Sequence, residues 1–196
     1  MSSEEEHDLI ARAKSDAEAF GALYQRYVNR IYNYHYRHTS SRVDAEDLTS
    51  RTFYRALRSL HSYRETGAPF QAWLYRIAHN LVVNWYRDHA NHPTISMDGD
   101  DYLSLRAQMM PSDSADGPEA SVAARELQAV LLEAIARLPE DRKTLIILKF
   151  VEGMTNVEIG EVLGRTEGAI KALYHRTLIT LRLAMREGVL DVQEIE

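Results

Sequence analysis

Thr155–Arg176 reads TNVEIGEVLGRTEGAIKALYHR, and its local chemistry decides the fold of the second half of the chain. Thr155 and Glu158 have the spacing of a capping box, in which a hydroxyl and a carboxylate each accept the other residue's backbone amide. Gly164 stands where a helix end favours a left-handed residue, and Thr166 can cap the helix that follows. Two short helices separated by about three residues have helix-turn-helix spacing. Ile159, Leu163, Ile170, Tyr174, Thr177 and Leu181 form an inner stripe, so Glu167, Lys171, Ala172, His175, Arg176 and Arg182 point outward. Spacing alone admits two readings: a hairpin that reads DNA, and a packed helical hairpin with a solvated basic face.

Charge favours the first reading once its distribution is followed. From Gly164 to Arg186 the bases are Arg165, Lys171, Arg176, Arg182 and Arg186 against Glu167 alone, a net +4. The whole chain carries −6, but its acid is concentrated in three segments. Residues 1–8 hold −4, residues 91–121 hold −5 and residues 187–196 hold −4, which leaves the remainder at +7. A basic folded part with acidic flanks suits a nucleic-acid partner, because local and not net charge governs such contacts.

Elsewhere along the chain helical periodicity dominates. Leu9, Ile10, Ala13, Phe20, Leu23, Tyr24, Tyr27, Ile31 and Tyr34 recur at steps of three and four. A second helical stretch runs from about Asp44, its expected N-cap, to Ser59, with Leu48, Phe53 and Leu57 facing inward. Gly67 and Pro69 break the pattern, and helix resumes over FQAWLYRIAHNLVVNWYRDHA. Between Asn91 and Ser121 the periodicity fades among Pro, Gly, Ser and Asp, the composition of a flexible acidic linker. Order returns at Val122, and helical segments follow over 142–152, 156–163 and 167–186. With five prolines, nine glycines and no strand alternation of useful length, the fold expected is all-α, in two helical domains.

In the first domain, aromatics alternate with Arg76, Asn80, Asn84 and Arg87 along one helix. Asn80 and Asn84 lie one turn apart on a face flanked by the two arginines, and Phe70, Trp73, Tyr75, Trp85 and Tyr86 could stack on unpaired bases. Trp73 is read as core. Asp44, Glu46 and Asp47 at a helix start are explained by the helix dipole. His35/His38 and His89/His92 have conceivable ligand spacing, but are read as surface histidines. No nucleophile motif, phosphate-cradling glycine loop, metal site or cofactor site can be assembled, so no enzyme is expected. The absence of cysteine excludes disulfides and thiolate zinc ligands. The polar N-terminus MSSEEEHDL and the lack of an apolar run of ~20 residues predict a cytoplasmic chain without membrane insertion.

Two stretches in order, DAEDLTSRTFYRAL…FQAWLYRIAHNLVVNWYRD and LPEDRKTLIILKFVEGMTNVEIGEVLGRTEGAIKALYHRTLITLR, resemble the bacterial extracytoplasmic-function sigma factors of the sigma-70 family. The resemblance implies a promoter-specificity subunit of RNA polymerase. It implies a region 2-like domain over residues 1–92, the linker over 93–121, a region 4-like domain over 122–186 and an acidic tail over 187–196. Asp44, Glu46, Asp47, Arg51 and Tyr54 would dock on the clamp helices of the largest polymerase subunit. The flap of the second largest would hold the second domain. Thr66, Gly67 and Phe70 would lie near a pocket for a flipped −10 base, with Arg76, Asn80, Asn84 and Arg87 on the non-template strand. Arg165, Thr166, Glu167, Lys171, Ala172, His175 and Arg176 would read the −35 duplex, and an anti-sigma factor would restrain the protein.

The chain departs from the family pattern in places. Ser50-Arg51 replaces a usual Gln-Glu, Ala172-Leu173 replaces a frequent Ser-Arg, and Leu178 and Ile179 stand where bases are common. Those leucines are either core or partner-facing. The alternatives are a dimeric helix-turn-helix regulator that binds duplex without polymerase and a helical interaction protein whose hairpin reads nothing. Association with core polymerase separates them from a sigma factor.

Overall fold

A computed structural model of the chain describes residues 3–64, 69–89 and 118–193, with side chains over 5–64, 69–89 and 127–186. Thr66, Gly67 and the expected linker up to residue 117 lie outside the described residues. Those described are helical, as the periodicity predicts. They fall into two compact units, each built almost wholly from consecutive helices.

The first unit comprises α1 (Ser3–Ala13), α2 (Ala17–Thr39), α3 (Arg42–Ser59), a 3-10 turn (Leu60–Ser62) and α4 (Phe70–His89). The early periodicity divides at Asp16, whose extended backbone leaves the helix while its carboxylate accepts from the Glu18 amide at 2.9 Å. Ser40, at φ 51°, closes α2 in the left-handed region with its amide on the Tyr36 carbonyl. Ser41, not Asp44, caps α3. Its backbone is extended and its hydroxyl accepts from the Asp44 amide, so Asp44 falls in the first turn instead of preceding it.

The core of this unit is the inward stripe of each helix: Leu23, Tyr27, Ile31 and Tyr34 on α2; Leu48, Thr52, Phe53 and Ala56 on α3; Leu74, Ala78, Leu81 and Trp85 on α4. Leu57 is half exposed, because the buried positions 45, 48, 52 and 56 turn it off the stripe. The histidine reading needs correction too. His35 and His38 are buried, not on the surface, and with His79 they form a polar seam around the buried Tyr34. His38 meets the Tyr34 ring edge-on at 4.6 Å, and the Tyr34 hydroxyl lies 3.2 Å from His79 Nδ1. Aromatic residues in one seam with imidazoles solve a packing problem that the linear spacing of histidines does not reveal.

The helices that follow are α5 (Pro118–Ala136), α6 (Glu140–Ile146), a π-helical turn (Ile147–Val151), α7 (Asn156–Leu163) and α8 (Glu167–Gln193), and all but the end of α7 belong to the second unit. α5 begins ahead of the expected Val122, with a proline at its first position, where the missing N–H costs nothing. Ala134, Ile135, Leu138, Ile146 and Leu181 form one core cluster, against which Leu131 and Ala184 pack. Gly153, at φ 69°, lets the chain leave the π turn and enter α7. α8 carries its backbone past the expected domain end into the acidic tail. No helix among the described residues is long and apolar enough to cross a membrane.

Candidate nucleic-acid interface

The hairpin of α7 and α8 is built as its sequence predicts. The Thr155 amide donates to Glu158 Oε2 at 2.6 Å, and the Glu158 amide donates to Thr155 Oγ1 at 3.3 Å. Gly164 adopts φ 63°, Thr166 Oγ1 accepts from the Ala169 amide, and the turn closes through Arg165 N–H to the Gly160 carbonyl at 2.9 Å. Gly160 is the residue that sequence reasoning missed here. A Cβ on it would meet the Arg165 carbonyl oxygen at 2.6 Å, so only glycine lets the two helices approach this closely. An isolated glycine inside a helical pattern is the available signal of such an approach.

The expected inner stripe is buried at Ile159, Ile170, Thr177 and Leu181, half-buried at Leu163 and Tyr174, and joined by Leu173. Leu173 is therefore core: the substitution that looked like a missing base is an added packing residue. Arg165, Thr166, Glu167, Lys171, Ala172, His175 and Arg176 are all exposed on one end of α8. Lys171 Nζ pairs with Glu167 at 2.7 Å, Arg165 pairs with Asp141, and Arg176 Nε donates to the Ala172 carbonyl. This end offers cationic groups for phosphates together with short polar groups for base edges.

The first unit presents a second surface. Arg76, Asn80 and Arg87 are exposed and Asn84 half-buried on α4, the face predicted from their spacing. Asn80 also borders an open groove of about 620 Å³ between α3 and α4, lined by Arg51, Tyr54, Arg55, Arg58, Ser59 and Ile77. The Arg58 guanidinium sits over the exposed Tyr54 ring, 5.8 Å from its centroid. The groove thus combines guanidinium groups, an accessible aromatic ring and an amide, the chemistry that holds an unstacked nucleotide. Arg55 and Arg58 were not singled out from sequence, although arginines at 51, 55 and 58 share one helical face.

Arg51 and Tyr54, grouped with the docking carboxylates by resemblance, line this groove beside Asn80. Asp44, Glu46 and Asp47 occupy the other end of α3, about 16 to 21 Å from Arg58 along the helix. Asp47 Oδ2 and Arg51 Nη1 are joined at 3.2 Å, at the border of the two charges. Phe70 is buried, its ring 5.6 Å from Tyr27, 5.6 Å from Tyr63 and 5.3 Å from Trp73. It braces the start of α4 and offers no face to a base. Trp73, half-buried, belongs to the same aromatic cluster, and Trp85 packs with Leu48 and Leu81. Among the described residues, no group of acidic or imidazole side chains could hold a metal ion.

A helix-turn-helix unit with a basic outer face and a helical unit with an arginine-lined groove are suited to meet nucleic acid. The comparisons make the class specific. Residues 23–92 match the family described as Sigma-70 region 2, and residues 128–181 match Sigma-70, region 4. SigW of Bacillus subtilis is 32% identical over 89% of this chain and 92% of its own length. BldN of Streptomyces coelicolor is 35% identical over 89% of this chain, which spans 63% of that relative's length. Both are ECF RNA polymerase sigma factors. Among solved structures, CnrH in complex with the cytosolic domain of CnrY superposes with a TM-score of 0.63 at 22% identity, covering 91% of this chain and 96% of that one. RpoE of Bartonella quintana, in complex with the anti-sigma factor NepR, gives 0.57 at 18% identity, over 85% and 96%. These two likenesses concern the fold. The chain belongs to the ECF sigma factors of the sigma-70 family, non-enzymatic proteins that direct transcription initiation.

Proposed function

We propose that the two surfaces divide promoter recognition, the α3–α4 groove taking the melted −10 strand and the N-terminal half of α8 taking the −35 duplex. The observation that carries this reading is the groove itself: Asn80, an amide able to read a base edge, stands beside Arg55, Arg58 and the exposed Tyr54 ring. Taking a base out of its stack costs a few kcal/mol, and stacking with phosphate neutralisation offsets that cost. In this reading the promoter-facing residues of the first unit are Tyr54, Arg55 and Arg58 on α3 and Arg76, Asn80, Asn84 and Arg87 on α4, with Thr66 and Gly67 before it. On the second unit they are Arg165, Thr166, Glu167, Lys171, Ala172, His175 and Arg176. Phe70 acts by positioning.

The acidic end of α3, with Asp44, Glu46 and Asp47, docks on the clamp helices of core polymerase. The second unit meets the flap, and an anti-sigma factor restrains the whole. The functional parts run over 1–92, 93–121, 122–186 and 187–196.

The test is Asn80→Ala in transcription with core polymerase on promoters that differ only in −10 sequence. The variant should lose initiation most on the preferred −10 base while keeping core affinity. Equal loss on every −10 sequence would overturn base reading at this groove.

A further inference from the structure

Residues 64–69 connect the 3-10 turn to α4 and carry Thr66 and Gly67, and the residues at the two ends of this connection are held together. At the near end Tyr63 leaves the 3-10 turn with its amide on the Leu60 carbonyl at 3.0 Å. At the far end the Pro69 carbonyl accepts from the amides of Ala72 and Trp73, which starts α4. The rings of Tyr63 and Phe70 meet edge-on, 5.6 Å apart at 88°, and both residues are buried. Trp73 lies against each of them, at 5.0 Å and 5.3 Å.

Two ties run into this cluster from the start of the chain. Lys14 Nζ donates to the Tyr63 carbonyl at 3.0 Å, across 49 residues of sequence. Lys14 is itself exposed, so the packing of α1 does not require its ammonium to reach that oxygen. The Glu6 carboxylate on α1 accepts from the Tyr27 hydroxyl, and the Tyr27 ring sits 5.6 Å from Phe70. Tyr27 is buried, so Glu6 supplies the acceptor that a buried hydroxyl requires. Burial first, and then that carboxylate, push the Tyr27 pKa up, which keeps the hydroxyl a donor. The matched Sigma-70 region 2 span begins at residue 23, which leaves Glu6 and Lys14 ahead of it.

We propose that Lys14 and Glu6 are positioning residues for −10 recognition, Lys14 fixing one end of residues 64–69 through Tyr63 and Glu6 the other through Tyr27 and Phe70. This rests on the −10 reading proposed above, in which Thr66 and Gly67 face the promoter. A connection whose ends are already fixed has less conformational freedom to lose when a base is taken up. Support of this kind sharpens the choice between bases. It leaves untouched the attraction for phosphates, which Arg55 and Arg58 supply whatever the base.

Two measurements separate the ties from the −10 reading. In the first, the full chain is digested briefly with trypsin, which cuts after Arg64, and the fragments are identified by mass spectrometry. Lys14→Met should speed that cut about three- to tenfold, as loss of one hydrogen bond implies, and Lys14→Arg should restore the parent rate. Tyr27→Phe, which keeps the ring and removes the hydroxyl, should speed it too. In the second, the chain bound to core polymerase is titrated with fluorescent single-stranded −10 oligonucleotides that differ at one base. Lys14→Met should narrow the affinity ratio between preferred and substituted strands by about threefold or more, with core affinity unchanged. Asn80→Ala should narrow that ratio without changing the cut. An unchanged cut in both Lys14→Met and Tyr27→Phe overturns the proposal. So does a faster cut with an unchanged ratio, an equal loss of affinity on every strand, or a failure of Lys14→Arg to restore both readouts. A parent chain with no preference among the strands overturns the −10 reading and the positioning role with it, while the cut rate still decides whether α1 holds the connection.

Discussion

At the scale of single residues, burial decides roles that residue type leaves open. His35 is the clearest case. The Thr52 hydroxyl donates to the Leu48 carbonyl at 2.8 Å, so its oxygen must accept from His35 Nε2, 2.9 Å away. That fixes the neutral tautomer, with Nδ1 facing no hydrogen-bond partner. Burial first, and then the neighbouring His38, push the His35 pKa down to about 3. The unfolded chain, with an ordinary imidazole near 6.5, then binds more protons than the folded one between those values. The stability contributed by neutral His35 is fully present above pH ~6.5 and is lost as pH falls, by up to about 1.4 kcal/mol per unit. Tryptophan fluorescence reports this unit, since both tryptophans, Trp73 and Trp85, lie on α4. In urea titrations at pH 7 and pH 5, His35→Gln should show a smaller drop in stability than the parent. An equal drop would remove His35 as the source. The pairing of Lys171 with Glu167 is a different matter: both side chains are exposed, and such an i, i+4 pair contributes only ~0.3–0.5 kcal/mol, so a phosphate can displace it.

At the scale of elements, the hairpin of α7 and α8 is held by a few local bonds and one close approach. The capping box and the left-handed Gly164 set the ends of the helices, and Gly160 sets the distance between them. Gly160→Ala forces a methyl group against backbone, which cannot swing aside as a side chain can. A cost of about 1–3 kcal/mol is expected, the range for overpacking a close contact. The variant should lower the thermal midpoint seen by circular dichroism and weaken −35 duplex binding. An unshifted midpoint would mean that the helices part at little cost. α3 carries the complementary lesson. Its two ends bear opposite charge, and the residues expected to dock on polymerase, Asp44 through Tyr54, span both, joined by the Asp47–Arg51 pair.

At the scale of the whole molecule, charge is partitioned more sharply than the net −6 suggests. The basic face of α8 is followed on the same helix backbone by the acidic segment that starts at Glu187. Removing residues 187–196 takes away −4 from beside a stretch of +4. The truncated chain should bind −35 duplex several-fold more tightly at low salt. That gain should fade near 1 M salt, where the screening length falls to about 3 Å. Unchanged affinity at low salt would show that the tail does not reach the field of the recognition helix.

The helical class of the fold, the two units and the construction of the hairpin are legible in the sequence, because helix period, caps and turn glycines act within a few residues of one another. So are the outward faces of α4 and the start of α8, since helical geometry fixes which residues share a face. Packing between helices accounts for the rest. It turned Leu173 inward and left Leu178 exposed, buried His35 and Phe70, and brought Asn80 beside Arg55 and Arg58. Each of these depends on which helix packs against which. A single periodic pattern is silent on that, because packing selects one arc of a helix according to what lies opposite it.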